Sequence, residues 1–266
     1  MSAKPETKRP SGCSLPPADP ARDLDLYEAS PTKTYVICSS PRTGSTLLGR
    51  LLEQTGLAGQ PHEYFHPVHM VPLAQRLGVI SDGRLNVMHY MQALTRVRTS
   101  ANGVFGVKAH FSQFAPFQKN AMWRTLLPGQ HKFICIERDD ELGQAISLAI
   151  ARQTDCYSSE SQPAREPQYD RNLIENSLQM IRSDKQGWRA FFRQNDIEPA
   201  ETTYEELIAS PVEVCTRLCR GIGIEISPAC FQLGRTGLKK QANEINTAWR
   251  QRYVEEIKAD VANMSG

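Results

Sequence analysis

The chain has 266 residues, room for one large α/β domain or two small ones. Hydrophobic residues make up 40% and charged residues 23% of it, an ordinary globular composition that excludes collagen-like and low-complexity classes. A net charge of +2 gives no bulk electrostatic case for nucleic acid or an anionic membrane, so any basic function must be local.

Residues 1–31 contain six prolines and almost no apolar periodicity, and read as a disordered tail before a single domain over 32–266. No apolar h-region is present there, and no run approaches the ~20 apolar residues of a membrane span. Seven cysteines, an odd number, fit buried thiols in a reducing compartment better than a disulfide framework. A soluble cytoplasmic protein is expected.

β-Branched and apolar runs predict strands at Thr34–Ser39, Val104–Ala109, Lys132–Glu137 and Glu201–Tyr204. Helical patterns fall between and after them. Ser45–Thr55 carries Leu47, Leu48, Leu51 and Leu52 on one face, with Gly56 as its stop. Leu85–Arg98 and Gln113–Leu127 are weaker segments, and Leu142–Thr154 has Ile146 and Ile150 four apart. Asn172–Gln194 shows one broad apolar stripe. Glu205–Arg220 is interrupted by Pro211, which starts a second helix, and Glu244–Val261 closes the chain. Strands separated by helices imply a central parallel sheet with helices on both faces. Ligands of such sheets bind beyond the carboxyl ends of the strands.

The segment Ser39–Thr46 would sit there. A β-branched run enters a loop of small hydroxyl residues with Arg42 and Gly44, and a leucine-rich helix follows at once. Backbone N–H groups and a helix N-terminus make such a turn a phosphate cradle. It is not a Walker A loop, because Gly44 stands where the lysine would be and Arg42 supplies the charge two residues earlier. Arg42 otherwise reads as a solvated arginine.

Four further clusters carry candidate chemistry. In Gly59–His66, Glu63 precedes two aromatics; partial burial would raise its pKa toward that of a general base, and the alternative is a surface glutamate. His62, His66 and His69 suggest a metal, but Pro61 and Pro67 break the segment and ordinary loop histidines fit better. Arg138 at a strand end and Ser147 two helical turns on either share an anion or serve the local backbone. Tyr204 either stacks near a purine or packs in the core. Lys239, Lys240 and Gln241, with Trp249, Arg250 and Arg252, either close over an anionic cofactor or form a solvated face.

In this order, from Tyr35 to Tyr253, these pieces resemble the sulfotransferases that use 3′-phosphoadenosine-5′-phosphosulfate (PAPS), and in particular the bacterial family typified by trehalose 2-sulfotransferase. The matching segments are Ser40–Leu48, Gly59–Phe65, Gln144–Ser147 with Arg138, Tyr204–Leu207, and Lys240–Ala242 with Trp249, Arg252 and Tyr253. The resemblance implies a three-layer P-loop NTPase-like fold and a homodimer. It implies that Arg42, Thr43, Gly44, Ser45 and Thr46 hold the 5′-phosphosulfate and that Arg138 and Ser147 bind the 3′-phosphate. Tyr204 and the Lys239–Ala242 segment would border the nucleotide. Glu63 would be the general base, and Gln60, Glu63, Tyr64 and Phe65 would meet the acceptor.

Gln60 stands where the trehalose enzyme has an acidic residue, which weakens the carry-over of trehalose specificity; the implied acceptor class is a carbohydrate hydroxyl, on a disaccharide, glycolipid or lipopolysaccharide sugar. A sulfuryl group carries less charge than a phosphoryl group, so fixed N–H donors and an arginine can steady it and no metal is expected. Two other classes remain on the residues alone: a P-loop kinase with an altered loop, and a non-catalytic adenine-nucleotide-binding module.

Overall fold

The computed structural model describes residues 16–157, 165–231 and 244–264. Strand β1 (Lys33–Ser39) leads into α1 (Ser45–Gln54). Next come α2 (Pro67–Arg76), a small antiparallel hairpin of β2 (Ile80–Ser81) and β3 (Arg84–Leu85), and α3 (Val87–Arg98). After β4 (Val104–His110) follow the short α4 (Phe111–Phe114) and α5 (Met122–Leu126). The rest is β5 (Gln130–Glu137), α6 (Glu141–Thr154), α7 (Arg171–Asn195), β6 (Ala200–Thr203), α8 (Tyr204–Ala209), α9 (Pro211–Gly221) and α10 (Glu244–Met264).

The main sheet is parallel, in the order β4-β1-β5-β6. β1, β4 and the second half of β5 are buried on both faces, which is why they read as continuous apolar runs; β6, at the edge, is part exposed. Alternation along β1 divides the core. Val36 and Cys38 join the aromatic cluster of Phe105, Phe133, Trp188, Phe191 and Phe192. Tyr35 and Ile37 point the other way, to the leucines of α1 and to Leu218 and Cys219 of α9. The Trp188 indole donates to the Ser39 carbonyl at 3.0 Å, so α7 fixes the end of β1 where the loop begins.

Two expectations need correction, and one detail adds to a third: Pro67 breaks the histidine segment by starting a helix there, with His66 as its N-cap. The segment Gln113–Leu127 is not one helix: left-handed Asn120 and Ala121 break it, with φ of 54° and 52°. And the domain does not begin at residue 32. The Leu24 and Tyr27 amides donate to the Val97 and Arg96 carbonyls. Asp23 pairs with Arg76 at 2.6 Å and with Arg98 at 3.0 Å. Residues 16–31 thus strap α2 to α3, and their prolines, which lack an N–H, leave those few polar contacts to anchor an otherwise irregular segment.

Candidate active site

The loop Ser40–Gly44 leaves β1 at the carboxyl end of the sheet, the place where parallel sheets bind ligands. Arg42 and Gly44 both take left-handed backbone conformations, with φ of 66° and 78°. Alternation of left- and right-handed residues turns successive N–H groups inward and makes an anion nest. Gly44 is the N-cap of α1 and offers no side-chain acceptor, so the first amides of that helix are left for an external one.

The hydroxyls of the loop are used internally. Thr43 donates to the Ser40 carbonyl at 3.1 Å, and the Ser40 hydroxyl accepts from the buried Gln144 amide at 2.9 Å. Gln144 also donates to the Pro41 carbonyl at 2.6 Å. The Thr43 hydroxyl is thus turned to its own loop, and what Thr43 has left to offer an anion is its backbone.

The Arg42 side chain leaves the nest. Its Nε donates to the Ser147 hydroxyl at 3.0 Å and its Nη1 to the Tyr157 carbonyl. Burial lowers its pKa, and so does the Arg138 charge beside it. Arg138 lies 4.9 Å above the Tyr204 ring, near Asp140 and Glu205, and its buried Nε has no hydrogen-bond partner among the described residues. The expected Arg138–Ser147 pair is thus an Arg42–Ser147 bond with Arg138 alongside. Two guanidiniums this close, one with an unsatisfied donor, fit an anion. The Tyr204 ring covers the nest: a Cβ on Gly44 would lie 2.5 Å from its Cδ2. Arg250 of α10 reaches the same corner through an ion pair with Asp140.

Glu63 arrives from the other side. The chain runs against β4 at Gly59, where a Cβ would come within 2.8 Å of the Val104 carbonyl. The His62 carbonyl then accepts from the Lys108 amide at 2.9 Å, a bridge that sets the next residue beside the end of β4. Lys108 Nζ lies 2.9 Å from Glu63 Oε1 and donates to Thr46 Oγ1 at 2.8 Å. One ammonium therefore joins the carboxylate to the first turn of α1. Gln113 donates to Glu63 Oε2 at 2.8 Å, and His110 Nε2 stands 3.8 Å from that oxygen.

These partners reverse the pKa expected for Glu63. Burial alone would raise it. The charges of Lys108 and His110 and the hydrogen bonds from Lys108 and Gln113 outweigh burial and hold the carboxyl well below the usual carboxylate range.

The other acceptor residues are corrected as well. Tyr64 and Phe65 are 1% and 3% exposed and belong to the core, with the Tyr64 hydroxyl bonded to the Gln60 carbonyl. The Gln60 side chain is buried and faces Arg98, its Oε1 3.4 Å from Nη1. Lys239, Lys240 and Gln241 lie outside the described residues. His62 is half-buried, and its Nδ1 accepts from the Glu63 amide at 2.8 Å, a structural role. Among the described residues no group of three or more His, Cys, Asp and Glu is arranged to hold a metal ion, and no helix is long and apolar enough to cross a membrane.

Sequence reasoning missed Lys108 and His110, and gave Gln144, part of a matching segment, no role. The signal for the first two was present: Lys108 and His110 end a buried parallel strand at the edge where ligands bind. Asp184 of α7 was missed too. Its Oδ1 accepts from the Ser112 amide at 2.8 Å, its Oδ2 is buried without a partner among the described residues, and burial raises its pKa.

Residues 34–256 match the Stf0 sulphotransferase family. The chain is 27% identical over 260 residues to trehalose 2-sulfotransferase of Mycobacterium tuberculosis (strain ATCC 35801 / TMC 107 / Erdman), covering 84% of this chain and 95% of that protein. It is 25% identical over 265 residues to trehalose 2-sulfotransferase of Mycolicibacterium smegmatis, covering 85% and 96%. Among solved structures, the sulfotransferase domain from the curacin biosynthetic pathway shares the fold, with a TM-score of 0.51 at 16% identity over 78% of each chain. A match to the family over nearly the whole described domain, on a parallel sheet whose first loop is an anion nest, places this chain in the Stf0 sulfotransferase family.

Proposed function

We propose that the chain transfers a sulfuryl group from PAPS to a carbohydrate hydroxyl, with Glu63 as the proton acceptor. In that reaction the bond from sulfur to the phosphate oxygen breaks as the acceptor oxygen bonds to sulfur, and the acceptor proton passes to a carboxylate. The nest at Arg42–Thr46 suits the phosphosulfate, and Lys108 is close enough to share its charge with it. Arg42, Arg138 and Ser147 surround a corner suited to a 3′-phosphate dianion, with Tyr204 between that corner and the nest. By family resemblance Lys239, Lys240 and Gln241 border the nucleotide. The carbohydrate acceptor rests on the two relatives named for trehalose.

One observation carries the reading: a single ammonium, that of Lys108, touches both Thr46 and Glu63. A base and an anion nest joined by one ion can act on the same sulfur atom.

The test is transfer of labelled sulfate from PAPS to a panel of sugars that includes trehalose. Glu63→Gln should lower the transfer rate by about 10²–10⁴-fold while adenosine 3′,5′-bisphosphate still binds. Full activity in Glu63→Gln would remove Glu63 from its role. Binding of the bisphosphate with no transfer to any sugar would favour a non-catalytic module.

A further inference from the structure

Glu63 is poorly prepared to accept a proton. Oε1 is paired with Lys108, and Oε2 accepts from Gln113 with His110 behind it. A carboxylate held by a full positive charge is a weak base, whereas an effective base has its pKa near the working pH. Lys108 is itself committed to two places. Its side chain is 5% exposed, and its one ammonium spans the carboxylate and the first turn of α1, at the lip of the nest. An anion held by the amides of that turn would compete with Glu63 for the same charge.

We propose, on the reading that the loop before α1 holds a sulfuryl donor, that Lys108 is a shared counter-ion: the bound donor draws its ammonium from Glu63, and the base becomes competent only with the donor in place. Lys108 is then a positioning residue as well as a donor contact. The device withholds a strong base from water until there is a sulfur to attack. The other charged and titratable groups around Glu63 are His110 on the same strand and His62 and His69 on the approaching segment and α2, with Asp184 behind His110 on α7. Burial disfavours the charged form of each of the three imidazoles, so the Lys108 ammonium, in contact with both Glu63 and Thr46, is the cation that a bound anion could redirect.

The experiment is calorimetry of PAPS binding without acceptor, at mildly acid pH, in buffers of different ionisation enthalpy, which reads the protons taken up on binding. Wild type should take up more protons than Glu63→Gln. Ionisation of the PAPS 3′-phosphate is common to both and cancels in the difference. In a Lys108→Met background the excess should fall away, and affinity for PAPS should drop about 10- to 100-fold, the worth of a hydrogen bond from a charged donor. Lys108→Arg should keep most of both effects. Equal uptake by wild type and Glu63→Gln overturns the inference alone. So does an excess that persists unchanged in Lys108→Met, which would mean direct repulsion between donor and carboxylate. If wild type binds no PAPS, the donor reading falls and takes this inference with it. Should Lys108→Met fail to fold, the comparison of wild type with Glu63→Gln still decides.

Discussion

Arg98 is the most deeply buried charged side chain among the described residues, and its neutralisation depends on the segment that reads as a loose tail. The guanidinium is 0% exposed. Its Nη2 pairs with Asp23 at 3.0 Å and donates to the Pro17 carbonyl at 2.8 Å, while its Nε has no partner among the described residues. Asp23 also chelates Arg76, at 2.6 and 2.8 Å. Asp23→Ala therefore strands one buried cation and one half-buried one. Removing one partner of a buried pair costs about 3–5 kcal/mol. The Asp23 side chain is 22% exposed, so water can partly replace it, and the low end, about 3 kcal/mol, is expected. The more exposed Arg76 pair adds at most about 1 kcal/mol. Urea unfolding followed by tryptophan fluorescence should show the midpoint fall with an unchanged slope. In a thermal scan the midpoint should drop by roughly 6–12 °C for a domain of this size. Arg98→Met should recover much of the loss in the Asp23→Ala background, since it removes the orphaned charge. A loss below about 0.5 kcal/mol for Asp23→Ala would mean that the strap does not hold Arg98, and the account of residues 16–31 would fail.

Three further outcomes follow from the site. Gly44→Ala places a Cβ against the Tyr204 ring and forces a side chain into φ 78°, a conformation costing about 1–2 kcal/mol; binding of adenosine 3′,5′-bisphosphate should weaken at least tenfold while the fold survives, as checked by circular dichroism. Arg138→Met should weaken that bisphosphate far more than adenosine 5′-monophosphate, so equal losses for the two ligands would remove Arg138 from the 3′-phosphate site. Stability should fall on acidification. Burial pushes the His62 pKa well below 6.5, so below about pH 6.5 the unfolded chain takes a proton that the folded one refuses, at about 1.4 kcal/mol per pH unit. Glu63, held below 4.5, acts in the same direction lower down: its contribution is full above about pH 5 and is lost as pH falls through the folded value. The urea midpoint should therefore drop between pH 7 and pH 5, and His62→Asn should flatten that slope.

The sheet and the nest were legible in the sequence because both are written locally. Continuous apolar runs mark buried parallel strands, and a strand, a small hydroxyl loop with one glycine and a leucine helix in succession set that loop at a helix N-terminus. The nest, Glu63, Arg138, Ser147 and Tyr204 could be named from such patterns and from their order along the chain. What each side chain touches was beyond reach. Arg42 bonds to Ser147, 105 residues on, and Gln60 turns inward to Arg98, 38 residues on. Lys108 is one polar residue in an apolar strand, and parallel pairing of β4 with β1 brings it to the loop, while the bridge at His62 brings it to Glu63. The basicity of Glu63 likewise could not be read from its neighbours in sequence. Burial and charge pull its pKa in opposite directions, and only the positions of Lys108, His110 and Gln113 in space decide which prevails.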